Sequence, residues 1–157
     1  MAPIRKGDGT PLEIPGVSEV RAGDGRVFFE EDAIPDSVAY GGEDDNTYVH
    51  DVSDGSLVQT LTESEGSVEG VALSEAHVAY GEGFGGDDNT YVHDVSDGSL
   101  VQTLTESGDE VQDVALSEAH VAYGGFDDNT YVHDLSDGSL VQTLTESGAT
   151  VNGVALL

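Results

Sequence analysis

Apolar residues along this chain fall in short runs separated by clusters of Gly, Ser, Asp and Glu, and the runs return in a fixed order. Runs this short, rich in Val, Tyr, Thr and Leu and bounded by turn residues, predict β-strands. Four kinds of run recur. The first (A) covers Val68 to Leu73, Val111 to Leu116 and Val151 to Leu156. The second (B) covers His77 to Tyr80 and His120 to Tyr123, with Val38 to Tyr40 as a shorter copy. The third (C) covers Thr47 to Val52, Thr90 to Val95 and Thr130 to Leu135. The fourth (D) covers Leu57 to Leu61, Leu100 to Leu104 and Leu140 to Leu144. Ser-Asp-Gly-Ser joins each C run to its D run and suits the positive φ of a tight hairpin. No segment between the Gly-rich turns is long enough to carry a helical period, so the expected class is all-β.

The runs belong to a tandem repeat. NTYVHDVSDGSLVQTLTES extends from Asn46 to Ser64, returns from Asn89 to Ser107, and returns again from Asn129 to Ser147 with Leu135 as its one change. ALSEAHVAYG covers Ala72 to Gly81 and again Ala115 to Gly124. Tyr48, Tyr91 and Tyr131 are spaced by 43 and 40 residues, the period of a four-stranded propeller blade.

The order V-x-x-V-A-L-S, H-V-A-Y-G, D-D-N-T-Y-V-H-D-V-S-D-G-S-L-V-Q-T-L over residues 38–157 resembles the WD40 and quinoprotein-like propeller repeats. The resemblance implies blades that are four-stranded antiparallel meanders, about three per chain: 38–67, 68–110 and 111–150, after a divergent leader 1–37 and before an extra innermost strand 151–157. It departs from the family at His50, His93 and His133, which stand where the Trp of the WD pair belongs, and in lacking a Gly-His pair after strand D. No cofactor is expected, since quinone sites of such propellers resemble Trp-rich rings and this chain has no Trp.

Propellers close with four to eight blades, so a homo-oligomer is expected, a dimer foremost, in which the A run at 151–157 completes the first blade of a neighbouring chain by strand exchange. Two chains would then make six blades and three would make nine. A rival register lies in the leader: Val17, Val20 and Val27 have the spacing of Val68, Val71 and Val78, so Gly16 to Phe29 reads as a divergent A and B pair. A dimer would in that case approach seven or eight blades.

Composition sharpens the functional expectations. The 157 residues include 32 acidic and 4 basic side chains, a formal charge of −28, and the basic ones are Arg5, Lys6, Arg21 and Arg26. Phosphate binding relies on Lys and Arg that the repeats lack, so no nucleic-acid partner is expected. Ordered apolar positions beside so much acid, with almost no Lys, resemble proteins of salt-loving archaea. In molar salt the Debye length falls to roughly 3 Å, which screens the self-repulsion. With no Cys, disulfides, thiolate metal sites and cysteine nucleophiles are excluded. No apolar run is long enough to span a bilayer as a helix, and the opening MAPIRKGDGT lacks a secretory apolar stretch; a cytoplasmic location without membrane contact is the expectation.

In an antiparallel meander the D-to-A and B-to-C loops share one end and the A-to-B and C-to-D turns the other. The turns are the same in every copy, whereas the B-to-C loop is GEGFGGDD before Asn89 and GGFDD before Asn129. The varying end is the candidate binding face for another protein, acidic through Glu43, Asp44, Asp45, Asp87, Asp88, Asp127 and Asp128, with Phe84 and Phe126 as exposed anchors. Clustered Asp and Asn oxygens also suit a hard cation such as Ca²⁺, although the spacing is not an EF-hand, and no metal site is assigned. His50, His93 and His133 recur at one place in strand C and read as packing residues between blades, with His77 and His120 in a repeated turn. A catalytic triad needs one particular convergence, and neither a GxSxG elbow nor a P-loop is present. The expected role is a non-enzymatic interaction scaffold; a small-ligand or cation-binding module, or a recently amplified repeat with no binding role, are the alternatives.

Overall fold

The computed structural model describes residues 17–21, 27–31 and 36–157. Among the described residues there is no helix; every regular element is a strand. The chain divides into two compact units, 1–35 and 36–157. The first holds the hairpin β1 (Val17–Arg21) and β2 (Val27–Glu31). The second holds three antiparallel sheets in chain order. The first sheet is β3 (Ser37–Gly41), β4 (Thr47–Asp51) and β5 (Leu57–Leu61). The second is β6 (Val68–Leu73), β7 (His77–Glu82), β8 (Thr90–Asp94) and β9 (Leu100–Leu104). The third is β10 (Val111–Leu116), β11 (His120–Gly125), β12 (Thr130–Asp134) and β13 (Leu140–Leu144). The second and third sheets are the predicted four-stranded meanders, and among the described residues the first has three strands.

Local chemistry explains the turns. At the end of β4, Asp51 Oδ1 accepts from the backbone N–H of Ser53 at 2.7 Å, and Asp54 Oδ1 accepts from Ser56 N–H at 2.8 Å. Gly55 then takes φ +73°, a conformation L side chains rarely adopt. The same turn recurs at Gly98 and Gly138, with φ +74° and +73°.

The core lies between sheets. One apolar cluster joins Val49 and Leu61 of the first sheet to Val68, Val78, Tyr80, Tyr91 and Val95 of the second. The next joins Ala79, Val92 and Leu104 to Val111, Val114, Val121, Tyr123, Tyr131 and Leu135. Alternation along a strand therefore means front against back, both buried in the second sheet. In β7 the front residues are large, Val78 and Tyr80, and the back ones small, Ala79 and Gly81. The small face is required: a Cβ on Gly81 would lie 2.3 Å from Val111 Cγ1, so Gly81 is the hollow into which the next sheet seats its first valine. Val68 over Gly41 repeats the contact.

Two segments flanking the three sheets bear on expectations from the sequence. Val151 to Leu156, read as a fourth A strand, has no strand geometry. A strand is defined by its ladder, and among the described residues no B strand lies beside this segment. It is nevertheless docked at its start. Val151 N–H donates to Gly125 O at 3.0 Å, as Val68 N–H does to Gly42 O, and Val151 covers Gly124 as Val68 covers Gly41. The leader hairpin forms and pairs Val17 with Glu31, as β6 and β7 pair Val68 with Glu82; beyond that point β6 has a bulge before Val71 meets Tyr80, whereas the leader ladder runs on unbroken and matches Val20 with Phe28. Gly16 and the intervening residues 22–26 lie outside the described residues.

Candidate functional site

Two regions gather polar side chains: the seams between sheets and the loop end. At the first seam the Tyr80 hydroxyl donates to Glu63 Oε2 at 3.2 Å and lies 3.1 Å from His93 Nε2. His93 Nε2 is itself 3.2 Å from Glu63 Oε2. His93 Nδ1 faces Gly98 O at 3.1 Å and must carry a hydrogen there, because a carbonyl only accepts. The Tyr80 and His93 rings stack with centroids 5.5 Å apart. Both are fully buried, while Glu63 comes from the linker that leaves the first sheet. The second seam repeats the arrangement with Tyr123, His133, Gly138 and Glu106. Burial, then the charge of Glu63, pushes the Tyr80 phenol far above its ordinary range, and burial with Glu106 does the same to Tyr123. A second tie crosses each seam: Gln59 Nε2 donates to Val95 O and Gln102 Nε2 to Leu135 O, both at 2.6 Å.

A convergence of Tyr, His and Glu has the components of acid–base chemistry. Its placement gives a different use. It sits inside the seam, it occurs twice with the same partners, and the Tyr hydroxyl and His Nε2 face the Glu of the preceding sheet's linker while His Nδ1 is held by a turn of its own sheet. His93 and His133 thus lie between sheets and bond across the seam. His77 and His120 lie at the opposite end, where their backbone N–H groups are bound by Ser74 and Ser117 hydroxyls.

At the loop end, the second Asp of each Asp-Asp-Asn turn, Asp45, Asp88 and Asp128, has φ of 62–65°. The hydroxyls of Tyr48 and Tyr131 donate to Asp44 Oδ2 and Asp127 Oδ2, both at 2.6 Å. The longer second loop replaces that acceptor with Glu82, which is fully buried. Glu82 Oε1 accepts from Glu65 N–H at 2.7 Å, Ser64 Oγ at 3.1 Å and the Tyr91 hydroxyl at 3.4 Å. Oε2 accepts from Asp87 N–H at 3.0 Å and Asn89 N–H at 3.1 Å. The carboxylate fastens loop to linker with both oxygens occupied.

Fixed in this way, the loops present acid and two aromatic rings. Phe84 is 80% exposed and Phe126 47%. Partial burial, followed by the charges of Asp109, Glu82, Asp87 and Asp127, raises the Asp88 carboxyl above its usual range. At Asp127 burial works in the same direction but is outweighed by hydrogen bonds from Tyr131 and from Gly108 and Asn129 N–H, so its carboxyl lies low. The fold therefore brings Asp87, Asp88, Asp109 and Asp127 into one field, and Glu43, Asp44 and Asp45 belong to a separate, exposed loop. Among the described residues no three His, Asp or Glu side chains are grouped so as to hold a metal ion.

Residue patterns alone did not single out Glu63, Glu106, Gln59, Gln102 or Glu82. The first four carried a signal, a polar residue kept at one place in each copy of the repeated block. Glu82 carried none, because it occurs in one loop only. No protein-family model matches the chain, and no curated protein matches it significantly in sequence.

Proposed function

We propose that the three sheets are successive blades of a β-propeller and that the protein is a non-enzymatic interaction scaffold which engages another protein through its acidic loop end. The observation that carries this reading is the division of labour within each repeat. The side chains able to do chemistry, Tyr, His and Glu, are used identically in both seams to join blade to blade. Insertions and deletions between repeats fall in the B-to-C loops and the D-to-A linkers, and Phe84 and Phe126 stand exposed among carboxylates in the B-to-C loops. Exposed aromatic anchors in a polar surround are the usual composition of a protein-binding patch. The excess of acid suits a salt-rich solution, where screening leaves short-range contacts as the source of specificity.

Small-angle scattering in molar KCl tests the architecture: a ring with a central channel is expected, and an extended rod would reject the propeller. The binding role is tested by immobilising the protein in the same salt. A protein retained by the wild type and lost by a Phe84→Ala/Phe126→Ala double variant fits the reading; retention of nothing but the chain itself counts against it.

A further inference from the structure

Asn152 and Gly153 form the single Asn-Gly pair of the chain, and they lie in the segment after β13 that is docked without a ladder. From this setting we infer that Asn152 deamidates spontaneously in the folded protein through a succinimide, and that the product loosens the segment from the third sheet. The reaction needs only water. The backbone nitrogen of Gly153 loses its proton to solvent base and attacks Cγ of Asn152. The side-chain nitrogen leaves as ammonia, and a five-membered imide closes. Water then opens the imide at either carbonyl: opening at Cγ gives Asp, and opening at the backbone carbon gives isoaspartate, whose main chain runs through Cβ and Cγ. Gly favours closure because no Cβ crowds the attacking nitrogen.

The structure separates this pair from its chemical relatives. At the hairpin turns the N–H groups of Gly55, Gly98 and Gly138 donate to Asp51, Asp94 and Asp134 O, each at 2.9 Å. The carboxylates beside them are tied as well: Asp54, Asp97 and Asp137 Oδ1 accept from Ser56, Ser99 and Ser139 N–H at 2.8, 2.9 and 2.9 Å. Hydrogen bonds from these serines hold the three carboxyls below the usual carboxylate range, in the ionised form that resists attack. Asn46, Asn89 and Asn129 each precede a Thr that opens β4, β8 or β12, and its branched Cβ crowds the nitrogen. Asn152 and Gly153 are both exposed, and among the described residues no group accepts from Gly153 N–H. One bond holds the amide, from Nδ2 to Thr150 O at 3.3 Å. The pair also sits between the two points that fasten the segment. Val151 N–H donates to Gly125 O at 3.0 Å and Val154 N–H to Asp113 Oδ2 at 2.8 Å. Isoaspartate lengthens the main chain between them by one methylene, and either product adds a negative charge two residues from the bond to Asp113. Val154 is therefore released while Val151 stays seated.

Ageing the full chain in molar KCl, at mildly alkaline pH and in water labelled with heavy oxygen, tests this. Cleavage after Glu146 isolates residues 147–157, whose one Asn is Asn152. That peptide should take up one labelled oxygen with the mass change of amide to acid, and electron-transfer fragmentation should find isoaspartate in place of Asn152. Peptides holding Asn46, Asn89, Asn129 and the Asp-Gly turns should stay unlabelled while the protein is folded. In urea the Asp-Gly peptides should label too, because the hydrogen bonds that tie them are gone. Gly153→Ala should abolish uptake with an unchanged far-ultraviolet spectrum, since the added Cβ meets only Asp113 Oδ2 at 3.8 Å, an ordinary contact. In the aged wild type, amide exchange should quicken at Val154 and stay as it was at Val151. A folded chain whose residues 147–157 take up no label, or whose Asp-Gly turns label first, would overturn the site. Unchanged exchange at Val154 in fully modified protein would overturn the release.

Discussion

His93 Nε2 lies 3.2 Å from Glu63 Oε2, a contact that reaches from the second sheet to the linker leaving the first. It recurs between His133 and Glu106. The acid ties the buried Tyr and His pair to the neighbouring linker. Glu106→Ala leaves the Tyr123 hydroxyl with His133 Nε2 as an acceptor at 3.3 Å, so it should cost about 0.5–1.5 kcal/mol, the net contribution of one hydrogen bond. Urea unfolding in molar salt measures it. Loss of less than a few tenths would show that the seam does not depend on this acid.

The stacked, all-strand order of this protein was legible because its cues are local. Turn residues bracket every run, and Ser-Asp-Gly-Ser fixes a hairpin within four residues. The seams were less legible because their members lie far apart in the chain: Glu63 is 17 residues from Tyr80 and 30 from His93, and only the stacking of sheets unites them. Gly81 reads as the end of a strand until Val111 is seen to fill its place. Val151 to Leu156 shows the converse limit. Its pattern matches β6, yet a strand requires a partner ladder as well as a pattern.

Glu82 tests whether one buried carboxylate organises the longest loop. Its two oxygens receive five donors, so Glu82→Gln turns an acceptor into a donor aimed at N–H groups. A loss of about 1–3 kcal/mol is expected, with faster amide exchange at Asp87 and Asn89. Unchanged exchange at both would reject the assigned role.

Alkaline unfolding should be steep. The phenols of Tyr80 and Tyr123 are raised by burial and then by Glu63 and Glu106, so in the folded protein they stay protonated above their ordinary value of 10. The stabilising difference is complete below pH 10. It is lost as pH climbs from there towards the folded-state value, since the unfolded chain ionises first. Absorbance at 295 nm should therefore change for these two tyrosines together with the far-ultraviolet signal. Smooth ionisation of all six tyrosines near pH 10 in a folded protein would contradict the seam geometry.

The crowded carboxylates give the last prediction. Asp88 is pushed up by partial burial and then by Asp109, Glu82, Asp87 and Asp127, so its charge is disfavoured in the folded state. Removing the charge should stabilise the fold at neutral pH. Asp88→Asn is the suitable variant because the residue sits at φ 62°, which Asn tolerates. The midpoint should rise by about 1–2 °C in 0.1 M salt, the scale of an exposed charge interaction. The gain should shrink in molar salt, because the Debye length falls from about 10 Å to about 3 Å. A backbone benefit from Asn would not depend on salt. An equal gain at both concentrations would therefore assign the effect to the turn and remove the acidic field from the account of this loop end.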